Sequence, residues 1–77
     1  MNFKELDVVV LLRDLPGDGL KHGDLATIVE IYEPDGLEVE FVTASGQTEA
    51  LVTVKTSDVR PVANNDLVVV RSFTGAA

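Results

Sequence analysis

Seventy-seven residues, no cysteine and a formal charge of −7 bound this chain to one small domain with neither disulfides nor a thiolate metal site. Thirteen acidic residues against six basic ones are the opposite of the cationic footprint that nucleic acid or an anionic membrane surface requires. A basic protein is the electrostatically matched partner, and the plainer reading is that the acidity only maintains solubility. The longest apolar run, Val8 to Leu12, is far below the roughly 20 residues of a membrane helix. The N-terminus, M-N-F-K-E-L-D, lacks the basic segment and apolar core of a signal peptide, so a cytoplasmic location is expected.

Met1 to Leu6 reads as a lead-in. Asp7 to Leu12 (D-V-V-V-L-L) is β-branched and continuously apolar, the pattern of a strand contacted on both faces. If Val8, Val10 and Leu12 face the core, Val9 and Leu11 point outward. Arg13 to Asp24 follows as a long loop punctuated by Pro16, Gly17, Gly19 and Gly23, with Leu20 tucked back as its anchor. His22 lies in this loop with no second histidine or cysteine to share a metal.

Leu25 to Tyr32 and Leu37 to Thr43 alternate apolar and polar residues around Glu33-Pro34-Asp35-Gly36, the signature of a β-hairpin. A three-residue loop closed by Glu33 and Leu37 pairs Ile31 with Val39 and Val29 with Phe41. Leu25, Thr27 and Leu37 join them on the apolar face, and Ile28 points outward. The outer face then sets Glu30 opposite Glu40 and Tyr32 opposite Glu38, a register protected because a one-residue slip buries glutamates.

The turn Ala44-Ser45-Gly46-Gln47 leads into a third alternating run, Thr48 to Lys55. With Thr43 opposite Thr48, Phe41 meets Ala50, Val39 meets Val52 and Leu37 meets Val54, which keeps the apolar face continuous. Glu49, Leu51, Thr53 and Lys55 fall outside. Thr56 to Val59 has the chemistry of a short break or one 3₁₀ turn. Arg60-Pro61-Val62 is a last short strand, held to an edge or strand end by its proline. Beyond the polar Ala63 to Asp66, Leu67 to Arg71 (L-V-V-V-R) forms a further apolar run that echoes Asp7 to Val10, and Ser72 to Ala77 trails off.

These elements predict an all-β, SH3-like (KOW-like) barrel of about five antiparallel strands over residues 1–62. Residues 63–77 form a C-terminal extension that adds one strand, 67–71. From Leu6 to Val62 the chain resembles a bacterial family of short uncharacterised proteins, domain-of-unknown-function family 4926. Leu6-Asp7-Val8-Val9-Val10-Leu11, Asp14-Leu15-Pro16, Gly19-Leu20-Lys21 and Gly23 to Glu30 carry the resemblance, with Tyr32, Val39-Glu40-Phe41, Gly46, Ala50-Leu51 and Arg60-Pro61 further on. Ala26 departs from it, where the family often has glycine. The resemblance implies an SH3-like barrel and brings no catalytic residues with it.

The parts of an active site are missing: one histidine, no cysteine, serines only in turns or the tail, and glycines without the Lys-Ser/Thr of a phosphate loop. No cofactor or metal is expected, nor is enzymatic activity. Two surfaces remain. The first is an acidic outer face of Glu30, Glu38, Glu40 and Glu49 flanked by Tyr32 and Leu51, suited to a basic protein. The second is the apolar surplus of Val9, Leu11 and Ile28 with Leu67, Val68, Val69 and Val70. There the tail covers the patch within the chain or joins a second copy in a homodimer. The function expected is a non-enzymatic interaction module. Its alternatives are an antitoxin or immunity-type inhibitor of a basic nuclease-like toxin and, against the charge, a nucleic-acid-associated KOW-like barrel.

Overall fold

The structure, a computed structural model, describes residues 2–74; Met1 and the end of the tail, 75–77, lie outside them. Five strands form one antiparallel sheet: β1 Val8–Leu11, β2 Leu25–Tyr32, β3 Gly36–Val42, β4 Thr48–Lys55 and β5 Val59–Pro61. Their order is β4-β3-β2-β1-β5, so three successive neighbours form a meander and β5 returns to the far side of β1. A single 3₁₀ turn, Thr56–Asp58, makes the corner between β4 and β5, where the turn chemistry of the sequence places it.

One core cluster draws on all five strands: Val9 and Leu11, Ala26 and Ile28, Leu37, Val39 and Phe41, Val54, and Val59. Five of these side chains (Val9, Leu11, Ile28, Leu37 and Val39) are wholly shielded, although the described residues hold no helix longer than one 3₁₀ turn to form a second layer. A flat sheet would leave that face wet. The sheet therefore coils on itself, as an SH3-like barrel does. The loop between β1 and β2 closes one end: Leu15 and Leu20 form an isolated bridge and both are buried, so Leu20 is the anchor its position suggests. Phe3 and Phe73 pack on the cluster from the two ends of the chain.

The phase of β1 is the reverse of the expected one. Val9 and Leu11 face the core, while Val8 and Leu12 are exposed. Val10 is covered without joining the core cluster and is paired between Leu25 and Arg60. A run of consecutive aliphatic residues has no alternation to set its phase. Pairing decides it: β1 lies between β2 and β5, both of which direct their own apolar residues to the same side.

Ile28 is likewise buried, not outward. The β2–β3 turn closes one residue earlier than expected, with Tyr32 paired to Gly36 and Ile31 to Leu37; a bulge at Val29 then shifts the register to Ile28 with Val39. The extra residue lets Ile31 and Ile28 both serve the core side although they are three apart. Gly36 explains the earlier closure. A Cβ there would stand 3.2 Å from the Tyr32 Cβ and 3.4 Å from its carbonyl oxygen, so only glycine fits opposite the tyrosine without displacing it.

The β3–β4 register is the predicted one: Leu37 with Val54, Val39 with Val52 and Phe41 with Ala50. A second bulge follows, so that Val42 faces Thr48 and Glu49 is the surplus residue. The tail forms no strand at 67–71. Leu67 to Val70 run exposed over the surface, while Val9, Leu11 and Ile28 are enclosed in the core and do not form an outer patch. Among the described residues no helix is long and apolar enough to cross a membrane.

Candidate functional site

The outer side of β2–β3–β4 is the candidate surface, and strand alternation puts it there. Leu37, Val39 and Phe41 point inward, so Glu38 and Glu40 between them must point out. The corrected register sets Glu30 directly against Glu38, whereas Glu40 is flanked by Thr27 on β2 and Leu51 on β4. Direct cross-strand neighbours have Cβ atoms about 4.5–5.5 Å apart, so Glu30 and Glu38 oppose like charges at close range.

Two hydroxyls orient this face. The Tyr32 phenol donates to Glu38 Oε1 at 2.8 Å, and Thr48 Oγ1 donates to Glu40 Oε2. Both donors are neutral, so they fix the carboxylates without cancelling their charge. The bond to Glu38 pushes the Tyr32 phenol above its ordinary range, partial burial adds to the effect, and the charges of Glu38 and Glu30 reinforce it. The phenol thus remains a donor across the neutral range. Leu51 is exposed beside Glu40, and Glu49 lies exposed at the bulged end of β4.

The three arginines are spent elsewhere. Among the described residues the ion pairs are Arg13–Asp58, Arg60–Asp66 and Arg71–Asp24, all arginine with aspartate. Asp58 also accepts from the Lys55 backbone N–H and so caps the 3₁₀ turn. The described glutamates therefore carry charge that no basic side chain of the fold neutralises. This division between structural aspartates and free glutamates is invisible in the composition, because it depends on partners as far apart as Asp24 and Arg71.

Those arginine pairs were not legible in the sequence. Arg60 grips Asp66 through two nitrogens at 2.9 Å each, and the Ala63 backbone N–H completes the carboxylate. Arg71 grips Asp24 through two nitrogens and also donates to the Gly19 carbonyl at 3.0 Å. The tail is thus fastened at both ends. Between the fastenings stand Leu67, Val68, Val69 and Val70, exposed by 90%, 77%, 83% and 93%. Of the residues expected to form an apolar contact surface, only these four are on the outside.

Two shallow grooves complete the surface. One of about 440 Å³ adjoins Tyr32 and is lined by Phe3, Lys4, Ile31 and Pro34; the other, about 650 Å³, lies between Arg13, Thr53, Lys55 and Asp58. Neither gathers a nucleophile with a base. Among the described residues no three His, Asp or Glu side chains converge as a cation site. The His22 backbone N–H donates to Asp14, which shapes the loop.

No curated protein and no solved structure matches the chain. A family described as a domain of unknown function (DUF4926) matches residues 5–61. The match runs from just before β1 to the end of β5 and leaves out the tail. Over that span, which is the whole barrel, the chain belongs to the DUF4926 family.

Proposed function

We propose that this protein is a non-enzymatic interaction module that docks a basic protein on the acidic face of β2–β3–β4, with Glu30, Glu38 and Glu40 as its charge centre. The observation that carries the reading is the uncompensated glutamate set: Glu30 against Glu38, with Tyr32 and Thr48 holding Glu38 and Glu40 in place by neutral bonds. Like charges facing each other across strands cost a few tenths to about 1 kcal/mol. A basic surface laid on them removes that cost and gains oriented charge-assisted hydrogen bonds. Tyr32 and Leu51 supply the amphipathic and apolar contact beside the charges. An antitoxin or immunity-type inhibitor is the special case in which the basic partner is a nuclease-like enzyme.

The test is capture from native lysate by the wild-type protein and by the Glu30→Lys/Glu38→Lys/Glu40→Lys triple variant, each immobilised through its N-terminus. A basic protein retained in stoichiometric amount by the wild type should be lost from the variant. Its purified form should bind the variant at least about tenfold more weakly, a difference of about 1.4 kcal/mol. Equal affinity for both would remove the acidic face as the docking surface.

A further inference from the structure

Holding four consecutive aliphatic side chains in water is unfavourable by about 25 cal/mol for each Å² of apolar surface, and a free tail would relieve that by collapsing onto the barrel. This tail is prevented from doing so. The Arg60–Asp66 pair fixes it just before Leu67, and Arg71, bound to Asp24 and the Gly19 carbonyl, fixes it just after Val70. Among the described residues, no backbone group of 67–70 has a backbone partner. The result is an apolar segment presented to solvent with its backbone groups unpaired among the described residues.

The same chain presents an open acceptor. Strand β4 ends the sheet, and the outer edge of its eight residues has no strand beside it. Its own tail is fastened elsewhere, to Arg60 in β5 and to Asp24 beside β2, and among the described residues no backbone bond joins 67–70 to β4. We infer that residues 66–71 pair as an added antiparallel strand with the β4 edge of a second copy of this chain.

Side chains set the register. Asp66 placed opposite Lys55 brings Leu67 to Val54, Val68 to Thr53, Val69 to Val52, Val70 to Leu51 and Arg71 to Ala50 beside Glu49. Every aliphatic residue of the tail then meets an aliphatic residue or a threonine. Leu51, 56% exposed in the single chain, gains a neighbour, and opposite charges meet at both ends of the strand. Lys55 and Glu49 are in no ion pair among the described residues, so each adds an opposite charge beside Asp66 or Arg71 while those two keep their partners, Arg60 and Asp24, within their own chain. Because each copy carries both the donor segment and the acceptor edge, reciprocal exchange closes a two-fold dimer with two added strands. Pairing of the two tails with each other would make only an isolated two-stranded ribbon, a marginal structure in water. Edge pairing leaves the outer face of β2–β3–β4 uncovered, so it is compatible with the docking of a basic protein and does not depend on it.

The test uses the full chain, whose lack of cysteine permits clean single thiols. Sedimentation of the wild type is expected to show a monomer–dimer equilibrium in the micromolar range, between about 1 µM and 1 mM. Val68→Asp/Val70→Asp should raise its Kd at least about tenfold with an unchanged circular dichroism spectrum, since both side chains project into water. An equimolar mixture of Val68→Cys and Thr53→Cys chains, oxidised mildly, should give the mixed disulfide in excess over either self-paired product. A protein monomeric up to about 1 mM, a dimer indifferent to the tail aspartates, or preferential self-pairing of Val68→Cys chains would each overturn the inference. Loss of basic-partner binding in the charge-reversed triple variant would leave these results untouched, so the two proposals fail separately.

Discussion

At the scale of single residues, three aspartates do the structural work in an acidic protein. Asp58 and Asp24 are each pulled upward by burial. For both, that pull is outweighed by a backbone N–H and an arginine, so both titrate below the usual aspartate range. Asp66 is held down to about 2, first by the Arg60 guanidinium and then by the Ala63 N–H. A carboxylate depressed in the folded state binds fewer protons than its unfolded counterpart, so stability rises with pH in that window. The stabilisation is complete above the ordinary value of 3.8 and is lost as pH falls towards about 2. Urea midpoints measured from pH 7 downward should therefore hold steady to about pH 5 and then decline. Asp66→Asn should flatten that decline, and a slope unchanged by this substitution would contradict the assignment.

At the scale of elements, the bulge at Val29 and the early closure at Gly36 decide which side chains are core and which are surface. Leu11→Ala and Ile28→Ala should each cost roughly 2–5 kcal/mol, because each empties a fully shielded position. Leu12→Ala, on an exposed side chain, should cost within about 0.5 kcal/mol. The opposite ranking is what the expected strand phase would give, so chemical denaturation of these three variants separates the two registers. Glu30→Thr should stabilise the fold by a few tenths to about 1 kcal/mol, because it removes the like-charge opposition to Glu38. A loss of stability on that substitution would mean that Glu30 serves the fold, not a partner.

The reading of these elements from sequence succeeded where alternation was strict. Glu38 and Glu40 interleave with Leu37, Val39 and Phe41, and the β3–β4 pairing of all three apolar residues follows from keeping glutamates in water. It failed at β1, where V-V-V-L-L offers two phases of equal hydrophobicity. It failed at β2 as well, where one bulged residue inverts the phase over half a strand. A bulge leaves no mark in a pattern of apolar and polar letters. The close approach of Gly36 to Tyr32 that accompanies the early closure is a contact that exists only after the hairpin has formed.

At the scale of the whole molecule, the two proposed surfaces respond to salt in opposite ways. Docking of a basic protein on Glu30, Glu38 and Glu40 depends on exposed charge and should weaken as salt shortens the screening length from about 10 Å at 0.1 M to about 3 Å at 1 M. Pairing of two copies must overcome the mutual repulsion of chains that each carry −7. Salt screens that repulsion, while the backbone bonds and aliphatic contacts of the added strand are little affected. The dimer should therefore persist or tighten at about 0.5 M salt, where the basic partner is released. Sedimentation of the complex across a salt series reads both effects at once, and a dimer that dissociates with salt would contradict strand exchange.

The all-β class, the five barrel strands, the 3₁₀ corner after Lys55, the pairing of Leu37, Val39 and Phe41 with β4 and the family were legible in the residues, because these rest on local turn chemistry and on alternation that water enforces. The strand expected at 67–71 and the Thr43–Thr48 closure did not form. The inward side of β1, the place of the β2 bulge and the partners of Arg13 and Arg71 follow instead from packing. Each depends on groups brought together across the sheet, as Arg71 is to Asp24 over 47 positions of chain. The arginine pairs neutralise Asp24, Asp58 and Asp66, while the glutamates of β2 and β3 face outward without a basic partner among the described residues. Two of those pairs also fasten the apolar tail at Asp66 and Arg71, with Leu67 to Val70 exposed between them.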